Sequence, residues 1–195
     1  MCSSDLMKGT ATRQGVSASE FDGKAFDGSF SGSARIRWGA DWAAEGELRV
    51  RGMKVAVLAP ALASEGKVEG RGAYQMSGAA PAKLHERARL EGNFKIENGV
   101  LGSFDLMRAL QTGGAQSSGR TVFAEMTGQG LYDKGAIQLR NLSIAAGAMN
   151  AGANLDIEAG GALSGRIVAE VKTPNQVLRA TLNISGKSSD PLVKK

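Results

Sequence analysis

Apolar side chains return at every second residue along nearly the whole chain, and a period of two is the spacing of a strand with one buried face. Leu90, Gly92, Phe94 and Ile96 fall on one side while Arg89, Glu91, Asn93, Lys95 and Glu97 fall on the other. Val68, Gly70, Gly72, Tyr74 and Met76 oppose Lys67, Glu69, Arg71, Gln75 and Ser77 in the same way. The pattern recurs at Phe30 to Trp38, Leu163 to Lys172 and Leu178 to Ser185. One face is apolar and the other is charged, which describes half-buried antiparallel strands rather than the fully covered strands of a parallel sheet.

The connections carry turn chemistry and are short: Tyr132-Asp133-Lys134-Gly135, Ala146-Gly147, Glu158-Ala159-Gly160-Gly161 and Thr173-Pro174-Asn175. Consecutive strands should therefore pair as a meander. Between Ile137/Leu139 and Leu142/Ile144 the apolar parity switches, which predicts a β-bulge at Arg140-Asn141. Three segments carry helix signals instead: Val57 to Ala63 around Pro60, Pro81 to Arg87, and Leu106 to Leu110 behind a cap at Ser103 or Asp105. Residues 113–119 hold no apolar side chain larger than Ala and are expected to form a mobile loop. The predicted fold is mainly β, a curled antiparallel meander sheet forming a groove or open trough, with two or three short helices.

An apolar face of this extent cannot stay bare, since each Val, Leu, Ile or Phe gains about 1.5–3 kcal/mol on leaving water. Three short helices are scant cover. Either the sheet closes on itself as a sandwich, or it curls into a trough whose floor accepts acyl chains. Small residues on the apolar face, among them Gly70, Gly72, Ala153 and Ala169, leave room above the floor. The residues assigned to that floor are Phe94, Ile96, Val122, Met126, Leu155, Ile157, Ile167, Val171, Leu182 and Ile184.

Several classes of chemistry find no support. One Cys and one His cannot build a disulfide framework, a cysteine zinc site or a histidine metal cluster. The net charge of +5 is scattered, without a basic arm. The longest apolar stretch, Val55 to Ala63, contains Pro60 and is far short of the roughly 18–20 residues of a spanning helix. Gly186-Lys187-Ser188 mimics the end of a phosphate loop, but that loop's first glycine would fall at Thr181 inside a strand. His85 has no nucleophile to serve, and Asp105 reads as a helix cap. Asn141-Leu142-Ser143 and Asn183-Ile184-Ser185 match the glycosylation sequon on strands, which disfavours modification. In Arg35-Ile36-Arg37-Trp38 the basic and aromatic residues alternate onto opposite faces, unlike a single-strand nucleic-acid site. Aromatics at 5% are too few for the two girdles of a membrane barrel. No catalytic residue, metal, cofactor or nucleic-acid partner is expected.

The stretch Leu-Glu-Gly-Asn-Phe-Lys-Ile-Glu-Asn-Gly-Val-Leu-Gly-Ser-Phe-Asp-Leu-Met-Arg-Ala-Leu, Leu90 to Leu110, resembles the C-terminal region of the bacterial AsmA-like proteins. Leu58-Ala59-Pro60-Ala61-Leu62 before Gly66, Gly70 and Gly72, and Leu182-Asn183-Ile184-Ser185-Gly186 before Pro191, are similar to that family's helix and closing strands. The resemblance covers residues 49–193. Residues 1–6, Met-Cys-Ser-Ser-Asp-Leu, resemble a translated adapter and are read as a non-native leader. Residues 7–48 are read as strands continuing from a missing upstream part. The resemblance implies a non-enzymatic periplasmic segment, anchored to the inner membrane through an absent N-terminal anchor. Its groove would bind phospholipid acyl chains for transport and outer-membrane biogenesis. The alternative is a structural or tethering β-domain of the envelope with a closed core and no ligand.

Overall fold

A computed structural model describes residues 3–58, 63–102, 104–172 and 174–195, with the backbone alone for 3–7. Twelve strands lie in one antiparallel sheet in the order of the sequence. They are β1 (Ser3–Thr12), β2 (Gly15–Ala25), β3 (Gly28–Arg37), β4 (Trp42–Lys54), β5 (Glu65–Gly78) and β6 (Arg89–Leu101). Then come β7 (Thr121–Asp133), β8 (Ala136–Ala146), β9 (Met149–Ile157), β10 (Leu163–Lys172), β11 (Val177–Lys187) and β12 (Asp190–Lys194). The sheet is open: β1 and β12 are its two edges and do not pair with each other. Residues 3–6, read above as a leader, form the start of β1, where Ser3 and Ser4 face Lys24 and Gly23.

The turns follow their residues. Lys134 and Gly135 both adopt positive φ, 49° and 91°, the geometry of a two-residue hairpin turn whose twist matches the strands it joins. The expected bulge lies at Arg140-Asn141, where the register slips between Leu139 and Leu142 and Asn141 takes φ 52°. Arg140 secures it: its guanidinium donates to the carbonyl of Leu155 at 2.9 Å and to Asp156 at 2.5 Å. The short helices are α1 (Val55–Leu58), a 3-10 turn at Pro81–Arg87, and α2 (Leu106–Gln111). The expected continuation of α1 across residues 59–62 lies outside the described residues, as do Ser103 and Thr173.

One face of the sheet holds the core. Buried apolar residues run in one cluster from Ala25 through Val68, Ile96, Met126 and Ile167 to Val193. The opposite face carries the charges, paired across strands as Arg35 with Glu45, Arg89 with Asp133 and Lys95 with Glu125, and along β6 as Lys95 with Glu97. Such exposed pairs add little stability individually, so the apolar face decides the fold.

Candidate functional site

Among the described residues, the connection between β6 and β7 covers one end of the apolar face, and Val55 of α1 and Ala63 are buried against the same core. After Leu101 the chain crosses toward the far edge of the sheet, where a β-carbon on Gly114 would stand 2.8 Å from the carbonyl oxygen of Val193 in β12. It then returns to Thr121 in β7. Within this strap α2 packs against β11 and buries Leu106, Ala109 and Leu110, with Phe104 just before them. Asp105 caps α2, its carboxylate accepting from the backbone N–H of Arg108 at 2.9 Å. Thr121 bolts the strap to the sheet: its buried hydroxyl accepts from the N–H of Leu106 at 2.8 Å and donates to the carbonyl of Phe104 at 2.7 Å.

The segment 113–119 is tied to this framework. Ser117 accepts from the backbone N–H of Asp105 at 2.8 Å, and the Thr112 hydroxyl accepts from the N–H of Gln116 at 3.0 Å. Its glycines supply the positive φ that the crossing needs, 62° at Gly113 and 92° at Gly114.

Beside α2 the face opens into a cavity of about 520 Å³. Its floor is Met126, Leu139, Leu142, Ile144, Ala153, Leu155, Ile157, Leu163, Ile167 and Ile184; Phe104 and Leu106 of the strap form one wall. Among the described residues, Ser64, Ser188 and Ser189 supply its polar side chains, and no charged side chain lines it. A second cavity of about 360 Å³ lies over β4 to β8, lined by Leu48, Val50, Val68, Leu90, Phe94, Ile96, Tyr132 and Ile137. Leu139 lines both, so the two are sections of one trough. At about 4.8 Å per strand the trough spans about 34 Å of sheet from β4 to β11. Each section falls in the usual range of small-molecule sites.

The ten residues assigned to the floor divide three ways. Met126, Leu155, Ile157, Ile167 and Ile184 line the larger section, and Phe94 and Ile96 the smaller. Val171 and Leu182 are buried in the core cluster and line neither section. Val122 lies on the outer face with 63% of its surface exposed, while its neighbour Phe123 is buried. The cause is Asn98: at its left-handed φ of 51° the buried face of β6 changes parity, and β7 changes with it at the facing residues 123 to 126. Leu139, Leu142, Ile144 and Leu163 line the trough and were not assigned to it, although the parity switch at Arg140-Asn141 already placed the first three inward.

Tyr74 lies outside both sections, and its hydroxyl donates to the carbonyl of Ser33 at 3.2 Å. Burial raises its pKa above the ordinary 10.0, so it stays a neutral donor. On the charged face, hydrogen bonds to Glu125 and then Glu97 raise the pKa of Lys95 above the ordinary 10.5. Among the described residues no three His, Cys, Asp or Glu side chains come together as a metal site, and no helix is long and apolar enough to cross a membrane. The site offers apolar contact and a few hydroxyls at its margin. Compared with protein-family models, with curated proteins and with solved structures, the chain shows no match.

Proposed function

We propose that the trough holds the acyl chains of a phospholipid, and that the chain is a terminal segment of an AsmA-like envelope protein. In this reading it works in the periplasm as part of an inner-membrane-anchored conduit serving outer-membrane biogenesis, and performs no catalysis. The observation that carries it is the pair of apolar cavities joined at Leu139, the larger without a charged side chain. An acyl chain gains about 0.8 kcal/mol per buried methylene, so a floor of Leu, Ile, Met and Phe holds it without selecting one lipid. The headgroup stays in water at the margin, within reach of the serines and of surface Lys and Arg.

Gly130 allows a direct test. A β-carbon there would meet the ring of Phe94 at 3.8 Å and Leu139 at 3.9 Å, ordinary contact distances, on the wall of the smaller section. Gly130→Leu therefore fills that section without a backbone clash. Titration with a fluorescent fatty acid should show uptake reduced several-fold at unchanged thermal stability. Unaltered uptake by a folded Gly130→Leu protein counts against the trough as the binding site.

A second reading is favoured by the strap, which covers one end of the face with Phe104, Leu106, Ala109 and Leu110. If that cover is the beginning of a closed core, the chain is a tethering β-domain of the envelope without ligand. Delipidated wild-type protein would then take up no fatty acid.

A further inference from the structure

Large apolar side chains with exposed surfaces gather at one rim of the sheet. Of the nine such side chains among the described residues, six lie at the rim where β2 joins β3, α1 follows β4, and β7 and β11 begin: Phe26, Val57, Leu58, Val122, Val177 and Leu178. They belong to four separate stretches of chain spread along the rim, two of them single residues and two adjacent pairs. A sheet rim is made of turns and can be wholly polar, so the fold itself does not ask for this arrangement.

Phe26 is the sharpest case. With Asp27 it forms the β2–β3 turn, both at positive φ, 50° and 64°. Asn and Gly occupy such a turn readily, whereas a large aromatic there is a conformational outlier. Its ring is half exposed, so burial does not compensate for the strain. A residue that stabilises neither its turn nor the core points to a role outside the fold.

The same rim carries cations. Lys24 stands there in no ion pair among the described residues, Lys67 at the start of β5 lies near Asp27 without reaching it, and the acidic Asp27 and Glu65 are paired with Lys54 and Arg120. Scattered apolar tips among cations suit the interface of an anionic bilayer, where the tips enter the headgroup layer and each cation near the surface adds about 1 kcal/mol. A protein partner or second copy fits less well, since stable protein interfaces need a contiguous, complementary patch.

We propose that this rim docks on an anionic lipid surface, with Phe26 as its leading contact. Docking stands whether or not the trough carries a lipid, because it is read from vesicle binding rather than from lipid uptake. Co-sedimentation with phosphatidylglycerol/phosphatidylcholine vesicles should retain the wild-type protein, and pure phosphatidylcholine vesicles should retain several-fold less. Phe26→Asn should lower binding at least several-fold while raising the melting temperature, since Asn suits the turn. Combining Val57→Ser and Val177→Ser with it should abolish binding. Leu192→Ser, an exposed apolar residue away from this rim, should leave binding unchanged. Phe26→Trp should show a blue-shifted emission on vesicles and quenching by brominated lipid.

Absence of wild-type binding, equal losses in Leu192→Ser, or Trp emission indifferent to vesicles would each overturn the proposal. So would light scattering that shows a dimer dispersed by Phe26→Asn, which would make the rim's partner a second copy of the chain. Vesicle binding that depends on Phe26 in a protein that takes up no fatty acid would leave this proposal standing while the trough reading fails.

Discussion

The ring of Phe123 covers Gly99, its partner across β6 and β7: a β-carbon on Gly99 would stand 2.1 Å from Cζ of that ring and 2.5 Å from Cε2. The glycine leaves the space and the aromatic fills it, which fixes the register where both strands enter the strap. Gly99→Ala forces the ring or the backbone aside and should cost about 1–3 kcal/mol. In a chain of this size that lowers the melting temperature by about 2–4 °C per kcal/mol. In a Phe123→Ala background the same change should cost much less. Strictly additive losses in thermal denaturation of the double mutant would show that the two residues are not coupled.

Thr121 links strap and sheet through both lone pair and proton. Thr121→Val keeps the shape but leaves the N–H of Leu106 and the carbonyl of Phe104 without their partner, a penalty of about 1–3 kcal/mol for each buried group. Amide hydrogen exchange at Leu106, Ala109 and Leu110 should accelerate far more than at Ile167 in β10, and Thr121→Ser should restore protection. Uniform acceleration across the sheet would mean that the strap is not a separate unit.

Asn98 turns the apolar face of β6 from one parity to the other at a φ of 51°. Glycine adopts that conformation freely and β-branched residues do not. Asn98→Gly should therefore be tolerated within about 0.5 kcal/mol, and Asn98→Val should cost about 1–2 kcal/mol in urea unfolding. Equal losses would assign the effect to the Asn side chain rather than the backbone.

These two features show what the sequence made legible. Strand alternation was readable because each side chain reports its own face, and the bulge at Arg140-Asn141 was readable because apolar residues flank it closely on both sides. At Asn98 the next residue is Gly99, which reports no face, so the change of parity did not show and Val122 was placed inward. The strap was half visible. Leu106, Ala109 and Leu110 stand at helical spacing behind the Asp105 cap, but that they cross to β11 depends on contacts distant in sequence. The exposed rim could not be read from alternation, since Phe26 and Val177 stand at or beyond strand ends where the period no longer applies.

Lys54 donates a hydrogen bond to Asp27 and attracts it electrostatically, holding its carboxyl below the ordinary 3.8. A depressed carboxylate contributes stability above its unfolded pKa, and the contribution is lost as pH falls through the folded value. Asp27→Asn should therefore shrink the drop in urea midpoint between about pH 5 and about pH 2. The raised pKa of Lys95 acts oppositely: its contribution is complete below the ordinary lysine value of 10.5 and is lost only as pH rises through the folded one. An NMR titration midpoint for Asp27 at or above 3.8 would contradict the ion pair.

Native mass spectrometry of the purified chain reads the trough most directly. Lipid binding predicts adducts in the phospholipid mass range that survive gentle ionisation, detach on collisional activation and diminish in Gly130→Leu. A folded protein that stays free of adducts, even after incubation with phospholipid micelles, would contradict it and leave a sheet that carries nothing.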